Sequence, residues 1–142
     1  MMAATILVVG FIGMIEAMAV GSRMMDAARR QTLADQIISH EIEKLRFASW
    51  STITGLPTIN TPVTIDTQFT SAIAASGATF TLSRTLTSPD PATNLREVNF
   101  TVTWVVRTSR HNLGGALLTF TYTRSNSAYF GKYGLNLTYQ RS

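Results

Sequence analysis

Side chains that could do chemistry are few in this chain of 142 residues, and they lie far apart. There is no cysteine, and the two histidines are His40 and His111. Glu41 follows His40, and a neighbouring imidazole and carboxylate are groups that general acid–base catalysis uses. Further charged residues follow directly at 43, 44 and 46, which favours a solvated helix face over a catalytic pair.

The short motifs that mark common active sites are absent. The sequence contains no glycine-rich phosphate loop, no G-x-S-x-G and no H-E-x-x-H. Two histidines without a cysteine give poor support to a zinc site or a histidine-based relay. We therefore expect no catalytic residue, no cofactor, no metal ion and no small-molecule substrate, and we predict that the chain is not an enzyme.

A basic loop is the one feature that could point to nucleic acid. Arg107, Arg110 and His111 lie close together, and the formal net charge of the chain is +4. However, these residues flank a predicted hairpin turn at Gly114 and Gly115, where polar side chains are expected in any case. The other arginines are scattered, so we expect a solvated surface and no nucleic-acid partner.

The N-terminal stretch 1–22 carries a single charged residue, Glu16. About 20 apolar residues in a helix can cross a bilayer. Gly13, Ala17 and Gly21 recur every four residues, so they share a helix face on which other helices can approach closely. We predict that 1–22 is a membrane-spanning and assembly helix with these key residues: Ala3, Ile6, Leu7, Val9, Gly10, Gly13, Glu16, Ala17 and Gly21.

Two other interpretations of this stretch stay open. Ala17-Met18-Ala19 fits the small-residue cleavage pattern of a secretory signal peptide, although no basic residue precedes the apolar run. Alternatively, the stretch is a buried helix of a soluble domain, for which the chain is short. Glu16 is either close to interfacial water or paired within an assembly.

The next segments predict an amphipathic helix and a linker. From 23 to 50 neither glycine nor proline interrupts, so the helix can continue directly from the apolar stretch. Gly55 and Pro57 predict a linker loop over 51–62. One apolar stripe is expected to pack the helix on a sheet, and its members are Leu33, Ile37, Ile38, Ile42 and Leu45.

The remainder, 63–142, predicts a small β head. Alternating apolar residues indicate strands at 62–69, 79–87, 98–106 and 117–123, with a last strand over Leu135, Leu137 and Tyr139. Strands this close in sequence most simply pair antiparallel, and the amphipathic helix is the available cover. The fold class is therefore predicted as α+β, with this sheet core: Val98, Phe100, Val102, Trp104, Leu118 and Phe120.

The order of these elements resembles the type IV pilin-like family. The stretch 1–50 is similar to the N-terminal helix of minor pilins of the PilV type and of type II secretion pseudopilin I. Its stalk matches their pattern at Ala28, Leu33, Ala34, Glu43, Leu45 and Arg46, with a longer spacing to the glutamate. The strand formed by Val98 and by Phe100 to Trp104 is also similar to the sheet of these proteins.

The resemblance implies a structural subunit that is anchored in the inner membrane, with its head in the periplasm, until it enters a pilus or pseudopilus. The implied partners are other pilin or pseudopilin subunits, the inner-membrane assembly machinery and the membrane. The basic leader and the early glutamate of such proteins are missing, so we expect that the chain begins at an internal methionine. The alternative function is a membrane-anchored or secreted β domain that binds a partner and never polymerises.

Overall fold

A computed structural model describes the backbone of residues 2–87, 94–111 and 117–132, and the side chains of 10–87, 94–107 and 117–132. The predicted turn at 114–115 and the predicted strand over 135–139 lie outside these residues. In chain order the helices and strands are α1 (Met2–Arg46), α2 (Trp50–Thr54), β1 (Thr61–Val63), a 3-10 turn (Thr67–Phe69), α3 (Thr70–Ser76), β2 (Thr79–Thr87), β3 (Leu95–His111) and β4 (Leu117–Gly131).

The first helix is continuous over 45 residues, as the absence of proline and late glycine predicts. It ends at Arg46, four positions before the predicted end at about Trp50. The reason is local, because the hydroxyl of Ser49 accepts a hydrogen bond from the backbone N–H of Thr52 and caps a separate short helix, α2. This helix lies within the segment predicted as a loop, and Gly55 ends it.

Four antiparallel strands form one sheet in the order β1-β2-β3-β4, which confirms the predicted pairing of neighbours in sequence. In the centre, Leu82 lies opposite Val102 and Val98 opposite Ala128. One face carries large apolar residues and the other mainly threonine, so a single face needs a cover.

The amphipathic half of α1 provides that cover. All five predicted stripe residues are buried together with the apolar face of β2 and β3, so this part of the prediction is confirmed. Four of the predicted sheet-core residues are buried as well: Val98, Phe100, Val102 and Trp104. The chain is thus an α+β protein in which a long helix packs on an antiparallel sheet.

The prediction that Leu118 and Phe120 belong to the core is wrong. Their exposed fractions are 37% and 47%, and all residues from 117 to 126 are exposed. The buried stripe from Leu33 to Leu45 is about 18 Å long, which covers only about five or six residues of a strand. Since β4 has 15 residues, its first half extends beyond the buried stripe of α1.

The strand predicted over 62–69 is present only at its start, in β1, and the 3-10 turn Thr67–Phe69 stands at its end. This turn and α3, which follows it, form a small helical unit. Asp66 caps this turn through a hydrogen bond from the backbone N–H of Gln68, at 3.1 Å. Gly77 ends α3 with φ of 63°, a conformation that favours glycine. The guanidinium of Arg30 on α1 donates to the carbonyl of Ser76, at 3.0 Å, and fastens the unit to the long helix.

Candidate functional site

His40, which suggested acid–base chemistry, connects α1 to the 3-10 turn. Nδ1 of His40 lies 2.9 Å from Nε2 of Gln68, and Nε2 of His40 lies 3.4 Å from a carboxylate oxygen of Asp66. The ring also meets Phe69 edge-on, with centroids 5.5 Å apart. His40 is half-buried rather than fully solvated, so the predicted solvated face is wrong at this position. Its contacts position the 3-10 turn against α1.

The acidic member of this cluster has a lowered pKa. The backbone N–H of Gln68 is the main cause, because its hydrogen bond favours the charged carboxylate of Asp66. Burial opposes this and raises the pKa of Asp66, whereas His40 and, more weakly, the positive charge of Lys44 lower it further. A carboxylate held ionised in this way suits a helix cap better than a proton donor.

Glu41, on the same helix, is buried although the sequence predicted a solvated face. Only 2% of the residue is exposed, and its carboxylate accepts a hydrogen bond from Nζ of Lys44 at 3.1 Å. Two residues further on, Glu43 pairs with Arg46 at 2.8 Å on the exposed side. The predicted solvated face is therefore wrong for Glu41 and fits Glu43.

These groups do not form a reactive centre within the described chain. The described residues contain no cluster of three or more histidine, cysteine, aspartate or glutamate side chains that could hold a metal ion. Arg107 is exposed, whereas the side chains of Arg110 and His111 lie outside the described residues, so the structure does not test the basic loop. Among the described residues, an exposed apolar surface is the stronger candidate for a functional site.

The N-terminal half of α1 is such a surface. Every residue from 10 to 29 is exposed, although this stretch carries large apolar side chains such as Phe11, 62% exposed, and Met18, 74% exposed. Exposed apolar patches of this extent mark sites of contact with other proteins or with lipid. The other large exposed apolar residues of this stretch are Ile12, Met14, Ile15, Val20, Met24 and Met25.

The predicted small-residue face lies within this exposed half. Apart from the helix's own backbone, a methyl group built on Gly10, Gly13 or Gly21 would meet no atom of the described residues within 4 Å, so packing against those residues does not require glycine at any of them. Glycine within a helix costs about 1 kcal/mol relative to alanine. With about 100° of turn per residue, these glycines and Ala17 fall within roughly 80° of one another around the axis. Their common face is thus unused by the fold.

The remaining predicted residues of this helix divide into two groups. Glu16 is exposed and lies outside the glycine face. Ala3, Ile6, Leu7 and Val9 lie in the helical backbone, but their side chains are outside the described residues. Across the part of the chain that the structure describes, no helix combines the length and the apolar character that a bilayer-spanning segment needs.

Comparison with known proteins gives no family assignment. No protein-family model, no curated protein and no solved structure matches this chain significantly.

Proposed function

We propose that this protein is a structural subunit that assembles with copies of itself or with related subunits through the N-terminal half of α1. The observation that carries this proposal is the contrast along one helix. The stripe from Leu33 to Leu45 is buried on the sheet, whereas residues 10–29 expose apolar side chains on all sides. The free energy gained by burying the apolar side chains of this half-helix is greatest when other helices surround it.

The glycine face supports helix-on-helix packing in particular. Small side chains let two helices approach closely and gain van der Waals contact along their backbones. Gly13 and Gly21 meet no packing neighbour among the described residues, so close contact with another subunit would offset the cost of glycine in this helix. The occupant of this face is proposed to be the same face or a neighbouring face of another subunit.

A pilin-like filament is the assembly that best fits a long helix with one half packed on the sheet and the other half exposed. Minor pilins or pseudopilins are the proposed family. The long helix would form the filament core, and the sheet would be carried outside as a head. Before assembly, the apolar half would lie in a membrane, with Arg23 at the first basic position after it. Enzymatic activity and bound cofactors have no part in this proposal.

A matched pair of substitutions tests the proposal. Ala17 and Ala19 are both exposed, yet they lie about 160° apart around the helix, and only Ala17 belongs to the glycine face. We expect Ala17→Leu to reduce self-association in detergent micelles at least ten-fold, while Ala19→Leu leaves it within two-fold. Resonance energy transfer between labelled full-length chains measures this association.

The filament itself is tested in cells that express the chain. Wild type and Ala19→Leu should appear in the sheared extracellular or periplasmic filament fraction, and Ala17→Leu should remain with the cell membranes. Unchanged circular dichroism and tryptophan fluorescence would show that the head of each variant is folded. Equal assembly of the two leucine variants would refute packing through the glycine face.

A further inference from the structure

A groove of about 640 Å³ lies beside the last part of β4, from Asn126 to Lys132. Within this stretch Ala128 and Phe130 lie on the helix-facing side of the sheet, since both pack in the core. The other wall combines the end of α1 with α2 and carries mainly apolar groups, namely Ile42, Ala48, Trp50 and Ile53. A polypeptide that runs along β4 here meets an apolar surface with every second side chain.

The hydrogen bonds of β4 show which of its amides face the groove edge. The N–H of Lys132 donates to the carbonyl of Asn94, directly before β3, at 2.9 Å. Because N–H groups point alternately to the two edges of an antiparallel strand, those of Ser127, Tyr129 and Gly131 point to the other edge. Among the described residues no strand pairs with that edge.

The chain itself continues from this place. Residues 133–142, which lie outside the described residues, follow Lys132 directly, and Lys132 lines the groove. A reversal of the chain needs about two to four residues, so about six to eight remain. That number matches the seven residues of β4 that line the groove. The segment also alternates polar side chains with an apolar set, Leu135, Leu137 and Tyr139.

Direct attachment favours this segment over a separate polypeptide. A segment joined through a short loop has an effective concentration of about millimolar at a site that it can reach. It also loses less translational and rotational freedom than a free partner does. Residues 133–140 carry no charge, which suits the mainly apolar wall of the groove.

From these observations we infer that residues 133–142 fill the groove as a fifth strand, antiparallel to β4. The apolar set faces Trp50 and Ile53, and the polar side chains between its members face water. With a loop of two or four residues after Gly131, Leu137 stands on the helix-facing side of the sheet. An antiparallel strand also matches the pairing of the other four.

A strand in this position protects the sheet from pairing with other copies. An open edge strand is a template for edge-to-edge association. The opposite edge is already a poor template, because β1 has three residues and contains Pro62, which cannot donate a backbone hydrogen bond. Assembly of subunits is thereby left to the exposed half of α1.

Amide hydrogen exchange of the full chain in detergent micelles tests the pairing. We expect exchange at Ser127, Tyr129 and Gly131 to be at least ten-fold slower in the wild type than in Leu137→Asn, which places a polar group in the groove. Thr138→Asn, the matched control on the water-facing side, should stay close to the wild type.

The amides of Ala128 and Phe130 are the internal control, because their N–H groups point to β3. Their unchanged protection would show that each variant keeps its sheet. Fast exchange of the three outward amides in the wild type, or equal effects of the two asparagine variants, would overturn the inference.

Dilution distinguishes the chain's own segment from a strand of a second copy. The slow exchange should not depend on chain concentration, and it should persist in Ala17→Leu even if that variant no longer self-associates. Protection that is lost on dilution or in Ala17→Leu would assign the groove to another subunit and overturn the inference.

Thiol labelling shows which side chains of the segment face the groove. The chain has no cysteine, so each single substitution gives one reactive thiol. We expect Leu137→Cys and Tyr139→Cys to react with a maleimide at least ten-fold more slowly than Thr138→Cys and Gln140→Cys. A uniform rate, or the reverse alternation, would contradict docking of the apolar set in the groove.

Discussion

At the scale of single residues, two glutamates on one helix show how burial changes the contribution of an ion pair to stability. Glu41 and Glu43 each pair with a basic residue three positions later. The side chain of Glu41 is 3% exposed and that of Glu43 is 55% exposed. A charge shielded from water depends on its partner far more than a solvated charge does.

Removal of the two basic partners should therefore have unequal effects. Lys44→Met leaves a buried carboxylate without its ammonium group, and we expect a loss of about 1–3 kcal/mol, reduced by the solvent exposure of Lys44 itself. Arg46→Met should change stability by less than about 1 kcal/mol. Urea unfolding of the two variants measures the difference. Equal effects would mean that Glu41 is hydrated when the chain is folded.

The cap residue Asp66 predicts a specific dependence on pH. Its pKa is lower in the folded chain, so the stability that it contributes is present above its ordinary pKa of 3.8 and declines as the pH falls through the lower folded value. His40 and Lys44 are the titratable groups that face it. The stability gap between wild type and Asp66→Asn should thus be constant above about pH 5 and shrink in stronger acid. A gap that widens as the pH falls would contradict the assigned cause.

At the scale of elements, the periodicity of apolar residues predicted the features that depend on residues close together in sequence. The continuous helix, the central strands and the buried stripe all follow from spacing within one segment. The contact between His40 and Gln68 joins residues 28 positions apart, and that between Asp35 and Arg124 joins residues 89 apart. No spacing within one segment reveals such pairs. The strand prediction was wrong at 67–69, because Asp66 caps a 3-10 turn there, and α3 was not predicted.

The exposure of Phe120 could not be predicted from the sequence for a related reason. Phe100 and Phe120 both occur in strands that alternate apolar residues with threonine, and they are predicted alike. Only the position of the buried stripe of α1 on the sheet decides which one is buried. Trp104 shows the boundary, since it stacks on buried Phe80 on one side and on exposed Tyr122 on the other.

Truncation of these two phenylalanines should separate them clearly. Phe100→Ala removes a side chain that is 0% exposed, and we expect a loss of about 3–5 kcal/mol. Phe120→Ala should cost less than about 1 kcal/mol, because water already reaches the ring. The midpoints of urea unfolding check both values. A large loss for Phe120→Ala would indicate that the start of β4 is covered in solution.

At the scale of the whole molecule, one helix has two different environments. Its second half is completed by the sheet, and its first half has no partner among the described residues. The sequence predicted both halves correctly as apolar surfaces, because their periodicities differ. It could not identify what covers the first half, since no described residue of the sheet packs against it.

A cysteine scan of residues 10 to 21 tests the central claim, that the glycine face of α1 packs against another subunit. The chain has no cysteine of its own, so each single variant can form only intermolecular disulfides. Oxidation of full-length variants in detergent micelles should give most dimer at Gly10, Gly13, Ala17 and Gly21, and least at Ile12, Ile15 and Ala19. A uniform yield, or a maximum on the opposite face, would contradict the account.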